Sequence, residues 1–302
     1  MMQRSKFIRY GCAVLAAALI LFCYTAPGQA VLDQLARWTG LTHFQDAAKQ
    51  YPFSLHVIDV GKADALCVLT EDTAVLIDAG TAARGDDVAD YLYRLGVKQL
   101  AAVFVTHPDD DHIGGLAEVL DRFPCAVCYT APMPPELIPD THSVRTAQSA
   151  LEKHDIPIRE LTAGEQVLYG AMTFDVLSPS GSYDSSNNQS LVLRLSYGEH
   201  RFLLMGDAEA AVEDDLLLSG IDLSADVLKV GHHGSNTSTS LAFLQAVSPR
   251  FAVISTGEDH NHLPRVPVLS RLDACEAVFR TDTDGTILLC SDGQELFVFT
   301  EK

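Results

Sequence analysis

"THPDDDHIGG", residues 106–115, decides how this chain is read. Three consecutive carboxylates, Asp109 to Asp111, stand between His107 and His112, directly after the apolar run "AAVFV". Adjacent like charges raise one another's pKa and destabilise a fold unless something positive sits among them. A solvated acidic turn is the plain alternative, because carboxylates also suit the N-terminus of a following helix. Flanking histidines favour the other answer, a bound metal ion.

The surrounding pattern places this stretch at the end of a strand. From residue 53 onward, "FSLHVIDV", "ALCVL", "TAVLID" and "AAVFVTH" read as strands, with "DDVADYLYRLG" as a helix between the last two. Further strands are expected near 172–178, 190–196, 201–205, 226–230, 251–255, 278–281 and 286–290. Helices fit 113–121, 143–154, 208–219, 239–247 and 266–275. No internal repeat, low-complexity stretch or composition shift divides residues 51–302, which read as one layered α/β unit.

Polar motifs recur where these strands stop. "LIDAG" delivers Asp78, "FLLMGDAE" delivers Asp207, and "VLKVGHHGS" delivers His232 and His233. Taken singly, an Asp after a strand is an ordinary cap or turn residue. Four loops rich in Asp and His, each at a strand end, point to convergence on one site, because a rigid scaffold presents reactive groups on such loops.

Composition narrows the chemistry. The 302 residues are 47% hydrophobic, enough to bury a substantial core, and the formal charge is −19. That balance excludes a general nucleic-acid-binding surface, whose affinity comes from clustered Lys and Arg. At the N-terminus Arg4, Lys6 and Arg9 precede an uncharged apolar run from Tyr10 to Tyr24, and "TAPGQA" follows. Residues 1–30 read as a secretory signal peptide or a short membrane anchor, and 31–50 as a helical linker. Either way the body lies outside the cytoplasm, secreted or attached to the membrane by this segment. Without residues 1–30 the body carries a formal charge of −22. Its five cysteines are odd in number. A Cys275–Cys290 disulfide is conceivable in that compartment, while "CAVC" at 125–128 lacks a second pair and reads as buried thiols.

In their order, the loops resemble the metallo-β-lactamase superfamily, whose main motif is His-x-His-x-Asp-His followed by a later Asp and a last His. The likeness narrows to the metallo-β-lactamase-like domain of ComEC-type DNA-uptake competence proteins. It is carried by "VIDVGKADALCVL", "AVLIDAG", "THPDDDHIGGL", "NNQSLVLRL", "FLLMGDAE", "VLKVGHHGSNTSTS" and "TDTDGTI", over about residues 53–290. The resemblance implies a four-layer αβ/βα sandwich with a dinuclear metal site at one edge of its two sheets. His107 and Asp109 would bind one metal, Asp111 and His112 the second, and Asp207 both. His232, or its neighbour His233, would complete the second site, and Asp78 would orient the ligand loop by hydrogen bonding.

Three departures from the family pattern matter. Asp109 stands where most members have a second His, and no His between residues 112 and 207 sits in a matching context. "NNQS" fills that place, so Asn188 or Ser190 is expected to meet metal, water or substrate. "STGEDHNHLPRVP" replaces an Asn-x-Tyr-Gly-His-Pro pattern, with His262 or His260 left to line the pocket. More oxygen ligands favour Mn²⁺, with Zn²⁺ as the alternative.

Two such cations make a bridging hydroxide available near neutral pH and offset charge on a phosphate, so phosphodiester hydrolysis is the implied reaction. Asp111 and His233 are the catalytic candidates, and Lys62 or Lys229 the phosphate's positive partner. The resemblance implies a DNA nuclease related to competence proteins. The strongly acidic body fits a small-molecule or cell-envelope phosphodiester more easily. The channel portion of full competence proteins is not found in this chain, so uptake itself is not expected of it.

Overall fold

The structure is a computed structural model that describes residues 47–258 and 262–302. The expected export segment, 1–30, lies outside the described residues, as does the linker up to residue 46. By its internal contacts the chain divides into Met1–Ala47 and Ala48–Lys302, and the second unit holds everything that follows.

Its apolar runs become two mixed sheets. The first runs in the order β15 (Leu296–Thr300), β14 (Ile287–Ser291), β1 (Phe53–Val57), β2 (Leu66–Thr70), β3 (Ala74–Ile77), β4 (Ala102–Val105), β5 (Cys128–Thr130) and β6 (Ile158–Glu160). The second runs β13 (Ala277–Arg280), β12 (Phe251–Ile254), β11 (Val227–Lys229), β10 (His200–Leu204), β9 (Val192–Tyr197), β8 (Met172–Ser178) and β7 (Gln166–Tyr169). Each sheet is antiparallel on one side and parallel on the other, with β3 to β6 and β10 to β13 forming the parallel halves.

Strand alternation sorts the side chains into three cores. Phe53, Leu55, Phe104, Phe174, Leu193 and Phe202 meet between the sheets, where Phe104 stacks on Tyr129 and Phe174 at centroid distances of 4.8 and 5.1 Å. Such ring pairs add about 0.5–1.5 kcal/mol each beyond their burial. The outer face of the first sheet is covered by α1 (Gly85–Leu95), α3 (Leu116–Arg122) and α4 (His142–Lys153). That of the second is covered by α5 (Ala210–Ser219), α6 (Leu241–Val247) and α7 (Val266–Leu272). The result is the four-layer αβ/βα sandwich expected from the sequence. Two one-turn helices, α2 (Asp110–Ile113) and α8 (Thr281–Asp284), complete it. Among the described residues no helix is long and apolar enough to cross a membrane.

Cys275 and Cys290 are free thiols, as are Cys67, Cys125 and Cys128, so the conceivable disulfide does not form. Cys128 is buried in β5, where desolvation pushes its thiol up to about 12. Strands β5, β6, β7 and β15 go beyond the sequence reading. β6 is three exposed residues, too short to show a period.

One buried polar cluster lies under α1. His56 in β1 pairs its two ring nitrogens with Ser54 Oγ and Tyr91 Oη, each at 2.9 Å. Burial drives its imidazole down to about 3. Because the folded value lies below the unfolded value near 6.5, the stability contribution is complete above pH 6.5 and drains away as pH falls toward 3. The loss is on the order of 5 kcal/mol across that window. His56→Gln is expected to flatten the acid limb, read by urea titrations at several pH values. An equally steep limb in the variant would reject the assignment.

Candidate metal centre

Parallel neighbours end at the same edge of a sheet, and here two such pairs face one another. Asp78 follows β3 and His107 follows β4, while Asp207 lies beyond β10 and His232 and His233 beyond β11. The edges are stitched together across the sandwich. Leu191 N donates to the Thr106 carbonyl at 2.9 Å between the two sheets, and within the loops of the first sheet Asp64 N donates to the Asp111 carbonyl at 3.0 Å. Glycines let the ligand loop seat. A Cβ on Gly114 would come within 2.3 Å of the Asp110 carbonyl oxygen, and one on Gly115 within 2.3 Å of that of Ala79.

Each imidazole is held from behind by its Nδ1. Asp78, whose φ of 56° suits an Asp, accepts from Thr106 N at 2.8 Å, from Thr106 Oγ1 at 2.7 Å and from His112 Nδ1 at 2.8 Å. The Thr106 hydroxyl spends its proton on Asp78 and so accepts from His107 Nδ1 at 3.1 Å. His233 Nδ1 donates to the Ser255 carbonyl at 2.9 Å, and His232 Nδ1 to Glu209 Oε1 at 3.0 Å. This network commits each Nδ1 as a donor and turns each Nε2 toward the centre.

The Nε2 atoms converge on Asp207. Its Oδ1 lies 3.3 Å from His112 Nε2 and 3.6 Å from His233 Nε2. Its Oδ2 lies 4.0 Å from His107 Nε2 and 3.8 Å from His232 Nε2. Asp111 Oδ2 is 3.5 Å from His233 Nε2, and Asp109 Oδ2 is 3.8 Å from His107 Nε2. Three clusters have ligand atoms within 4.8 Å of one another, His107 with His112 and Asp207, Asp111 with His112 and His233, and Asp64 with Asp78 and His112. His107 Nε2, His112 Nε2, His233 Nε2 and Asp207 Oδ1 are buried with no hydrogen-bond partner. Buried polar atoms are normally satisfied, so a convergent orphan set of this kind fits a cation. Atoms each about 2.1 Å from one ion sit roughly 3–4 Å apart, as these do.

Electrostatics follow the same geometry. Burial alone would raise the Asp207 carboxyl, but the His233, His112 and His107 rings outweigh it and hold it well below the usual range. Burial alone would lower His112, and Asp207 and Asp78 instead lift it well above its ordinary value. Asp111 is held far down against its burial by His233, His112 and Lys62, whose Nζ donates to Asp111 Oδ2.

The remaining sequence candidates take other places. Asp110 is exposed at the start of α2, where its carbonyl accepts from Gly114 N. Lys229 is 2% exposed and donates to Asp64 Oδ2 at 3.0 Å and to the Val230 carbonyl, so it faces the protein interior and not an incoming phosphate. Asn188 Oδ1 accepts from Glu209 N, and Ser190 Oγ from Asp207 N, so both brace the Asp207 loop. His262 is exposed, with a φ of 52°, and His260 lies outside the described residues. Sequence reasoning passed over Asp64, Thr106, Glu209 and Ser255. Asp64 and Glu209 stood inside quoted motifs, and the Ser255 contact uses only a backbone carbonyl, for which no side chain gives a signal.

A model of the metallo-β-lactamase superfamily matches residues 58–258. The chain belongs to that superfamily, and within it is a metal-dependent hydrolase related to competence proteins. It is 34% identical over 252 residues to ComE operon protein 3 of Bacillus subtilis, covering 76% of this chain and 32% of that one. It is 30% identical to Recombination protein 2 of Haemophilus influenzae (78% and 28% covered) and to competence protein ComA of Neisseria gonorrhoeae (80% and 33% covered). The chain thus spans about a third or less of the length of these relatives. Among solved structures, the metallo-β-lactamase fold protein YhfI of Bacillus subtilis shares the fold with a TM-score of 0.50 and 12% identity, over 82% of this chain and 99% of that one.

The bond from Asp78 to His112 is open to a direct test. Asp78→Asn keeps an acceptor for Thr106 N and tolerates the positive φ, but turns an amide toward His112 Nδ1. Metal affinity is expected to fall about 10- to 100-fold, read by calorimetric titration with Mn²⁺. Unchanged affinity would show that Asp78 does not orient the ring.

Proposed function

We propose that the protein is a dinuclear metal-dependent phosphodiesterase whose substrate is DNA. The observation that carries this reading is Asp207, a buried carboxylate whose two oxygens each face a different set of imidazoles. In this reading His107 and Asp109 hold the first ion, Asp111, His112 and His233 the second, and Asp207 both. Three carboxylates in the set support Mn²⁺ ahead of Zn²⁺. When bound, such a pair of ions supplies an acidified water as nucleophile and offsets charge building on the phosphate.

The chain's own residues do the rest. Asp78, Thr106 and the Ser255 carbonyl keep three rings aimed while substrate binds. In this reading His233 Nε2 would face the second ion while its Nδ1–H is committed to the Ser255 carbonyl, so neither nitrogen is left to serve a leaving group. Lys62, paired with Asp111 and partly exposed where Lys229 is buried, is the more accessible of the two lysines to an arriving anion.

The names of the competence and recombination relatives support DNA. The formal charge of −19 favours a second reading, a small or cell-envelope phosphodiester. Full-length protein, stripped of metal and reloaded with Mn²⁺, Zn²⁺ or Mg²⁺, separates them. Cleavage of single- or double-stranded DNA supports the first reading. Cleavage of bis-p-nitrophenyl phosphate alone supports the second, and no metal-dependent hydrolysis of either defeats both. Arg4, Lys6 and Arg9 ahead of the apolar run support action outside the cytoplasm, secreted or membrane-anchored. Recovery of the protein in the cytoplasmic fraction of its cells would reject that placement.

A further inference from the structure

We propose that His232 is a ligand of the first metal ion, so that the adjacent histidines of "GHHG" serve different ions. The inference rests on the dinuclear reading above, and its test needs no substrate.

The first site is short of an imidazole. The sequence offers no His in a matching context between residues 112 and 207, and the residues that fill the place are occupied elsewhere. Ser190 accepts from Asp207 N, and Asn188 from Glu209 N. His232 approaches from the other side. Its Nε2 stands 3.8 Å from Asp207 Oδ2, the oxygen that faces His107, while His233 stands 3.6 Å from Oδ1, the oxygen that faces His112.

The backbone is bent to achieve this. His232 and His233 have φ values of 45° and 51°, two consecutive left-handed residues that are not glycine. Such a conformation is disfavoured for any residue with a Cβ and persists where the surroundings enforce it. It leaves the two rings 6.3 Å apart and inclined by 71°, each beside its own oxygen of Asp207. Glu209 completes the arrangement by accepting from His232 Nδ1, the carboxylate–histidine pairing that prepares Nε2 for a metal. The two sites then match. His107, His232 and Asp109 stand on one side and His112, His233 and Asp111 on the other, with Asp207 shared.

His232→Asn is the decisive variant, because Asn tolerates a positive φ but is too short to reach the ion. Full-length protein would be stripped, titrated with Mn²⁺ by calorimetry and examined by electron paramagnetic resonance, with circular dichroism reporting the fold. Two bound ions are expected in the unsubstituted protein, with an exchange-coupled spectrum. In His232→Asn one of the two sites should weaken at least tenfold and the spectrum should become that of an isolated ion. His233→Asn should weaken the other site. Should His232→Asn fail to fold, Glu209→Gln decides, with a smaller loss expected at the same site. Two ions at unchanged affinity in the variant that folds would overturn the proposal, as would a single ion in the unsubstituted protein. If both ions bind as expected yet no phosphodiester is cleaved, the substrate reading fails and the ligand assignment stands.

Discussion

Asp207→Ala is expected to lower kcat/KM toward a phosphodiester by at least about a thousandfold, close to 4 kcal/mol of transition-state stabilisation. The magnitude follows from position. Asp207 is 3% exposed and is the one carboxylate among the described residues within 4 Å of all four imidazole Nε2 atoms. On the dinuclear proposal, removing it would take the shared anion from between two cations and leave the rings facing one another. Neither neighbouring carboxylate can substitute, since among the four imidazoles Asp109 comes within 4 Å of His107 alone and Asp111 of His233 alone. Rates with bis-p-nitrophenyl phosphate at saturating Mn²⁺, beside the metal content of the purified variant, would measure the effect. Activity within tenfold of the unsubstituted protein would remove Asp207 from the centre of the mechanism.

Stripping the metal is expected to cost the fold nearly as dearly. An ion that binds only the folded state at a hundred times its Kd stabilises it by about 2.7 kcal/mol, so two contribute roughly 5 kcal/mol. In a body of this size that corresponds to a fall in Tm of about 10–20 °C. The physical reason is visible in the orphaned Nε2 atoms and the buried Asp207 Oδ1, which have no other partner. Differential scanning calorimetry with and without a chelator would read it. A melting curve unmoved by chelation would mean that those atoms are not satisfied by a metal.

Much of this centre was legible because its ligands are side chains in short, ordered motifs. "THPDDDH" and "MGD" pointed to His107, Asp109, Asp111, His112 and Asp207 once the loops were read together and beside the family pattern, and the fold brings those side chains to one place. The histidine doublet could not be resolved by spacing, because its two members differ only through backbone dihedrals and through what stands behind each ring. Lys229 shows the opposite limit. Its position beside "GHHG" suggested a substrate contact, yet β11 is a central strand buried on both faces, so a lysine there needs an internal anion, and Asp64 provides it. For the fold, the strands of the two central sheets announced themselves by apolar runs. β15, "LFVFT", carried the same composition and escaped notice beside the turn that precedes it, while β6 had too few residues to carry a pattern.

The ligands' order along the chain also sets when the site can come into being. His107 to His112 belong to loops of the first sheet and are synthesised early, whereas Asp207, His232 and His233 follow roughly a hundred residues later from the second. The first sheet is itself unfinished until later still, because β14 pairs back onto β1 and β15 onto β14. A growing chain therefore carries half a ligand set while roughly a hundred further residues are made, and gains the other half only when the loops of the second sheet emerge. Ion capture becomes a late event in the protein's biogenesis, and a loaded centre certifies that both halves of the sandwich have met.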